Sequence, residues 1–151
     1  MFLRELGPTN GVLLGILGFV AAWAIMFTLI SRAGGWALLA EQYRCQETFT
    51  GSTWSFQKAQ MRWMVGYNNC LTVGADPRGL YLSILFPFRL GHPPLFIPWR
   101  DISYSKKKFL WTTYVELRLG REVPIPFRIS YALAQKLKTA AAASWPVEVI
   151  A

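Results

Sequence analysis

The stretch GVLLGILGFVAAWAIMFTLI, Gly11 to Ile30, decides how the rest of this chain is read. It holds no charged residue, and a helix of this length is roughly 30 Å long, the thickness of a hydrocarbon core. A buried soluble helix of that composition needs apolar neighbours on every side, which a remainder of about 120 residues rarely supplies. A cleaved signal peptide is the competing reading, with Ala33, Gly34 and Gly35 as its small-residue region. Such peptides carry a basic leader and an apolar run of ~7–15 residues. Here Arg4 is cancelled by Glu5 and the run is longer. The expectation is a transmembrane helix over residues 11–30, preceded by a short tail, residues 1–10.

The flanking charges orient it. Arg4 stands alone on the N-terminal side, whereas Arg32, Arg44, Lys58 and Arg62 follow the span. The excess of positive charge places the C-terminal side in the cytoplasm. Within the span, Gly11, Gly15, Gly18 and Ala22 recur at spacings of four, three and four, on one helical face. Small residues there let a second helix approach, either a membrane-protein partner or a second copy in a homodimer; glycine and alanine are also simply common in membrane helices. Residues 31–46 read as a juxtamembrane joint. Ser31 to Gly35 punctuate the helix, then Trp36, Leu39, Ala40 and Tyr43 recur at helical spacing. Trp36 and Tyr43 suit the headgroup layer, so this segment either lies along the membrane surface or packs on the domain that follows.

Apolar residues make up 53% of the 151 and charged residues 16%, which excludes a disordered regulator. One histidine and two cysteines argue against a zinc finger, a histidine-rich metal site or a disulfide scaffold. No cofactor and no metal is expected. The net charge of +8 belongs wholly to residues 31–151, because Arg4 and Glu5 cancel.

Beyond the joint, continuous apolarity gives way to alternation. Ala59, Met61, Trp63 and Val65 alternate with Lys58, Gln60, Arg62 and Met64, and Leu71, Val73 and Ala75 repeat the period-two pattern. Asp76-Pro77-Arg78-Gly79 fits a type I turn leading to Leu80, Leu82 and Ile84. Phe86 to Pro94 reads as a loop, and Leu95 to Trp99 as a short strand. Phe109 to Leu119 reads as one long strand, with Val115, Leu117 and Leu119 facing one way and Tyr114, Glu116 and Arg118 the other. Pro124 and Pro126 alternate with Val123, Ile125 and Phe127, which predicts an edge or bulged strand. Ser130 can cap a helix from Tyr131 to about Ala143, stopped by Pro146. The fold class is α+β: a transmembrane helix, a small antiparallel β sandwich or barrel over residues 47–145 closed by a C-terminal helix, and a tail, residues 146–151.

The stretch Gly79-Leu80-Tyr81-Leu82, the later Ile97-Pro98-Trp99-Arg100-Asp101-Ile102, the strand 109–119 and the closing helix resemble the PH-like and GRAM-like superfold, in its bacterial membrane-anchored form. The likeness covers residues 47–145. It implies a binding or scaffolding module without catalytic residues, often near membranes, and names no ligand; the apolar span and its flanking charges place the chain in the cell inner membrane.

Motifs for catalysis are missing: the sequence has no G-x-S-x-G, Walker A, G-x-G-x-x-G or H-E-x-x-H pattern. His92 reads as a loop histidine, and the chain is expected not to be an enzyme. Cys45 and Cys70 should be reduced in the cytoplasm, could pair outside it, and Cys45 is near enough to the membrane for palmitoylation to be a minor alternative. The basic groups remain. Lys106, Lys107 and Lys108 read as a turn before the long strand, with Arg100, Arg121 and Arg128 near strand ends; such a loop suits anionic lipid headgroups or a membrane-protein partner, or is a solvated hairpin tip. Nucleic acid is not expected, because Phe109, Trp111 and Phe127 share faces with aliphatic core residues. The alternative function is a structural subunit docking through an apolar patch at Phe86, Phe88, Leu90 and Leu95.

Overall fold

The computed structural model describes residues 7–62, 65–85, 89 and 91–149. Helix α1 spans Pro8–Gly34, with a proline in its first turn where no amide donor is needed. Its 27 residues give a length of about 40 Å. Residues 11–22 are exposed throughout, while Trp23, Phe27 and Ile30 are half-buried and Ser31 and Gly34 are buried. The helix is long and apolar enough to span a membrane. Ten of its large apolar residues, among them Phe19, Ile25 and Leu29, are close to half exposed or more. At about 1.5–3 kcal/mol for each fully buried side chain, leaving them in water forgoes on the order of 10–20 kcal/mol. That rivals the net stability of a whole domain.

The helix persists past Ile30, where punctuation was expected, because Ser31 and Gly34 pack on the β domain. It ends at Gly35, whose φ of 94° is left-handed, and a Cβ there would lie 2.8 Å from two carbons of Ile125. Both facts require glycine. Arg62 donates to the carbonyls of Arg32 and Ala33, so it caps the end of α1. Helix α2, Trp36–Tyr43, follows without a linker.

Seven strands come next: β1 Ser52–Gln60, β2 Gly66–Asp76, β3 Gly79–Ile84, β4 Leu95–Pro98, β5 Ile102–Phe109, β6 Thr112–Leu119 and β7 Ile125–Ser130. They form one antiparallel sheet in the order β4-β3-β2-β1-β7-β6-β5, curled into a half-barrel, and helix α3, Tyr131–Ala141, packs on it. The architecture is α+β. Inside the curl lie Leu71, Val73, Leu82, Ile97, Leu117 and Phe127, closed by Leu133 and Leu137 of α3 and by Trp36 and Leu39 of α2. The Ser130 hydroxyl accepts from the Leu133 amide at 3.2 Å, which is the expected cap. The turn between β2 and β3 is held by Asp76, whose Oδ1 accepts from the amides of Arg78 and Gly79.

Three expectations change. The strand read over 58–65 begins earlier and stops at Gln60, since the Met61 amide donates to the Val65 carbonyl instead; Trp63 and Met64 lie outside the described residues. Residues 109–119 are not one strand: Phe109 pairs with Thr112 across a tight turn at Leu110 and Trp111, making β5 and β6 a hairpin. β7 lies between β1 and β6 rather than at the sheet edge, yet it meets β1 at one register pair, Gln60 with Arg128. Its β1 side is therefore almost an edge, which is why Pro126 is tolerated.

Candidate functional site

On the outer face of the β5-β6-β7 half, Glu116 is buried, 3% exposed. Lys107 Nζ is 3.0 Å from its Oε2, Arg128 Nε is 3.1 Å from its Oε1, and Arg118 Nε is 3.9 Å away. The strand registers create this cluster, because Glu116 pairs with Arg128 on one side while Lys107 pairs with Tyr114 one pleat along. Burial would raise the Glu116 pKa, but hydrogen bonds from Lys107 and Arg128 outweigh it and hold the carboxyl below its ordinary range. One buried carboxylate thus organises three cations, leaving a positive surplus.

The other expected basic residues do not join them. Lys106, Lys107 and Lys108 sit within β5 rather than in a turn, and the period of two divides them. Lys106 and Lys108 pair with Val115 and Thr113 on the inner face, and Lys106 Nζ lies 4.8 Å from the Tyr131 ring centroid. Arg121 Nε is 2.7 Å from Asp101, which also accepts from the Tyr43 hydroxyl. Arg100 is exposed on the 3-10 turn Trp99–Asp101. Sequence proximity had gathered these groups; strand geometry distributes them over three places.

Next to the Glu116 cluster, β1 diverges from β7. The divergence opens a cleft of about 860 Å³ whose lining includes Phe56, Lys58, Gln60, Phe109, Tyr114 and Arg128. Phe56 and Leu110 have φ of 59° and 56°, unusual for side chains of their size. At its rim the hairpin tip is bare, with Phe109, Leu110 and Trp111 exposed at 69%, 74% and 93%. The sequence reading missed this tip, because Trp111 had been assigned to the core face of a continuous strand. Three bulky apolar residues followed by two threonines gave no turn signal.

The anchor residues also divide. Gly11, Gly15 and Gly18 have no neighbour within 4 Å of a built Cβ, and Ala22 is exposed, so this stripe is bare in a single chain. Trp36 is instead fully buried, and its indole N–H donates to the Pro93 carbonyl at 2.8 Å. Its place is the joint between helix and domain. His92 sits beside it, 1% exposed, with Nε2 2.8 Å from the Tyr67 hydroxyl and rings of Phe27, Trp36 and Tyr67 around it. Ser31 donates to the Gly91 carbonyl. Residues 91–93, just before β4, are therefore a clasp on the end of α1. Burial raises the Tyr67 pKa, keeping its hydroxyl protonated.

Leu95 of the alternative apolar patch is fully buried, while Phe86, Phe88 and Leu90 lie outside the described residues. Cys45 and Cys70 are both free, and burial raises the Cys70 thiol pKa. Among the described residues no group of three or more His, Cys, Asp and Glu side chains could hold a metal ion. No family model matches the chain, and neither a curated protein nor a solved structure matches it.

Proposed function

We propose that this chain is a single-pass protein of the cell inner membrane whose cytoplasmic head is a non-enzymatic, PH-like binding module for anionic lipid headgroups. What supports the PH-like reading is a four-strand and a three-strand antiparallel meander joined at one weak pairing, with a C-terminal helix packed on the curl. The observation that carries the lipid reading is the group of three cations, Lys107, Arg118 and Arg128, around a single buried carboxylate. The positive surplus on that face attracts an anionic leaflet by about 1 kcal/mol per cation near the surface. The clasp at His92 and Trp36 supports it further, because a head fixed to its anchor meets lipid at high effective concentration.

The test uses the full chain in vesicles of phosphatidylcholine, with or without phosphatidylglycerol, read by amide hydrogen exchange. Anionic lipid is expected to slow exchange in residues 102–119 and 125–130, and Arg118→Glu with Lys107→Gln to remove that protection. Equal exchange in both lipids would overturn the reading.

A further inference from the structure

Among the described residues beyond α1, the largest contiguous apolar exposure is the β5–β6 tip, Phe109, Leu110 and Trp111. These side chains are mostly exposed, so packing inside the fold does not account for them. Turn chemistry does not either. A two-residue hairpin connection with a positive φ at its first position favours glycine, asparagine or aspartate. The chain instead places leucine there at φ 56°, a conformation disfavoured for a branched side chain, and aims that side chain into solvent. Phe56, also at positive φ and 68% exposed, lines the same cleft as Phe109.

The charges around the tip are in positive excess. Lys106 and Lys108 precede it, Lys107 is paired with Glu116, Lys58 lies across the cleft, and no acid occurs between Lys106 and Val115. Apolar residues ending in tryptophan, ringed by lysines, match the layered chemistry of a bilayer surface: hydrocarbon beyond, anionic headgroups at the rim. A protein partner would be matched by shape and paired polar groups instead. From these observations we infer that Phe109, Leu110 and Trp111 form a second membrane contact, inserting just below the headgroups of the cytoplasmic leaflet of the bilayer that holds α1 while the neighbouring lysines meet those headgroups. This rests on the membrane reading of α1 and adds an apolar foothold to the headgroup contact proposed above.

The experiment introduces Leu110→Cys, or separately Trp111→Cys, in a full chain carrying Cys45→Ser and Cys70→Ser. An environment-sensitive nitrobenzoxadiazole label is attached and the protein reconstituted in phosphatidylcholine vesicles with or without phosphatidylglycerol. Insertion predicts blue-shifted emission, protection from aqueous iodide and quenching by nitroxide lipids labelled near the headgroup. Water-like emission open to iodide at both positions would overturn it. So would a blue shift that nitroxide lipids leave unquenched, which would mean burial against protein. Insertion that is equal in both lipids, with Arg118→Glu and Lys107→Gln changing nothing, would sustain the tip and overturn the headgroup reading.

Discussion

The Tyr67 hydroxyl and His92 Nε2 lie 2.8 Å apart in a buried setting, and this pair ties residues 91–93 to β2 beside the base of α1. The aromatic rings of Phe27 and Trp36 close around the imidazole. Tyr67→Phe removes one hydrogen bond and should cost about 1 kcal/mol. His92→Ala leaves a cavity as well and should cost about 2–4 kcal/mol. Chemical denaturation of the full chain in detergent micelles, followed by tryptophan fluorescence, checks both values and their order.

Trp36 tests whether the joint is rigid. Trp36→Phe keeps most of the packing and leaves the Pro93 carbonyl without its donor, for a loss of about 1–2 kcal/mol; Trp36→Ala should lose about 3–5 kcal/mol. Gly35→Ala should be comparably severe for a different reason, combining left-handed strain with a Cβ driven into Ile125. Limited proteolysis near residue 35 is expected to quicken in Trp36→Ala and Gly35→Ala, because Pro93 and Ile125 no longer hold the α1–α2 joint.

Glu116 gives the pH dependence. Its pKa in the folded chain lies below the unfolded value of about 4.3. A depressed carboxylate contributes its full stability above the unfolded pKa and loses it as pH falls through the folded one. Stability should therefore decline from roughly pH 4.5 downwards, and Glu116→Gln should flatten that decline. The same substitution removes the counter-ion from Lys107 and Arg128. It should lower stability by about 1–3 kcal/mol at neutral pH while strengthening protection by anionic vesicles. Melting curves across pH, set beside hydrogen exchange in the two lipids, separate these effects.

Leu110 offers a substitution with the opposite sign. Leu110→Gly relieves an unfavourable φ at an exposed site, so stability should hold or rise by up to about 1 kcal/mol. Thermal unfolding in micelles checks this; a loss above that size would mean that Leu110 packs on something within the fold.

Much of the architecture was legible because it rests on strong local patterns. The apolar run after Gly11, the Asp76-Pro77-Arg78-Gly79 turn, the inner face of Val115, Leu117 and Leu119, and the Ser130 cap all depend on residues close in sequence. The site was less legible. Lysine at 106 and 108 occupies inward-facing positions of β5 that an apolar pattern would have marked, so the strand looked like a turn. Leu110 and Trp111 sit in a turn that uses none of the usual turn residues. Glu116 was assigned to the outer face, but its three cations come from different strands and register alone brings them together. His92 is the loop residue expected, but its burial was not legible, because Phe27, Trp36 and Tyr67 reach it from distant segments.

The account depends most on α1 lying in lipid with the head fastened to its end. Alkaline carbonate washing of membranes from cells making the full chain, followed by intact-mass measurement of each fraction, addresses this directly. The expected result is a membrane pellet that keeps the protein with residues 1–30 attached. Protein released into the wash with those residues intact would contradict it.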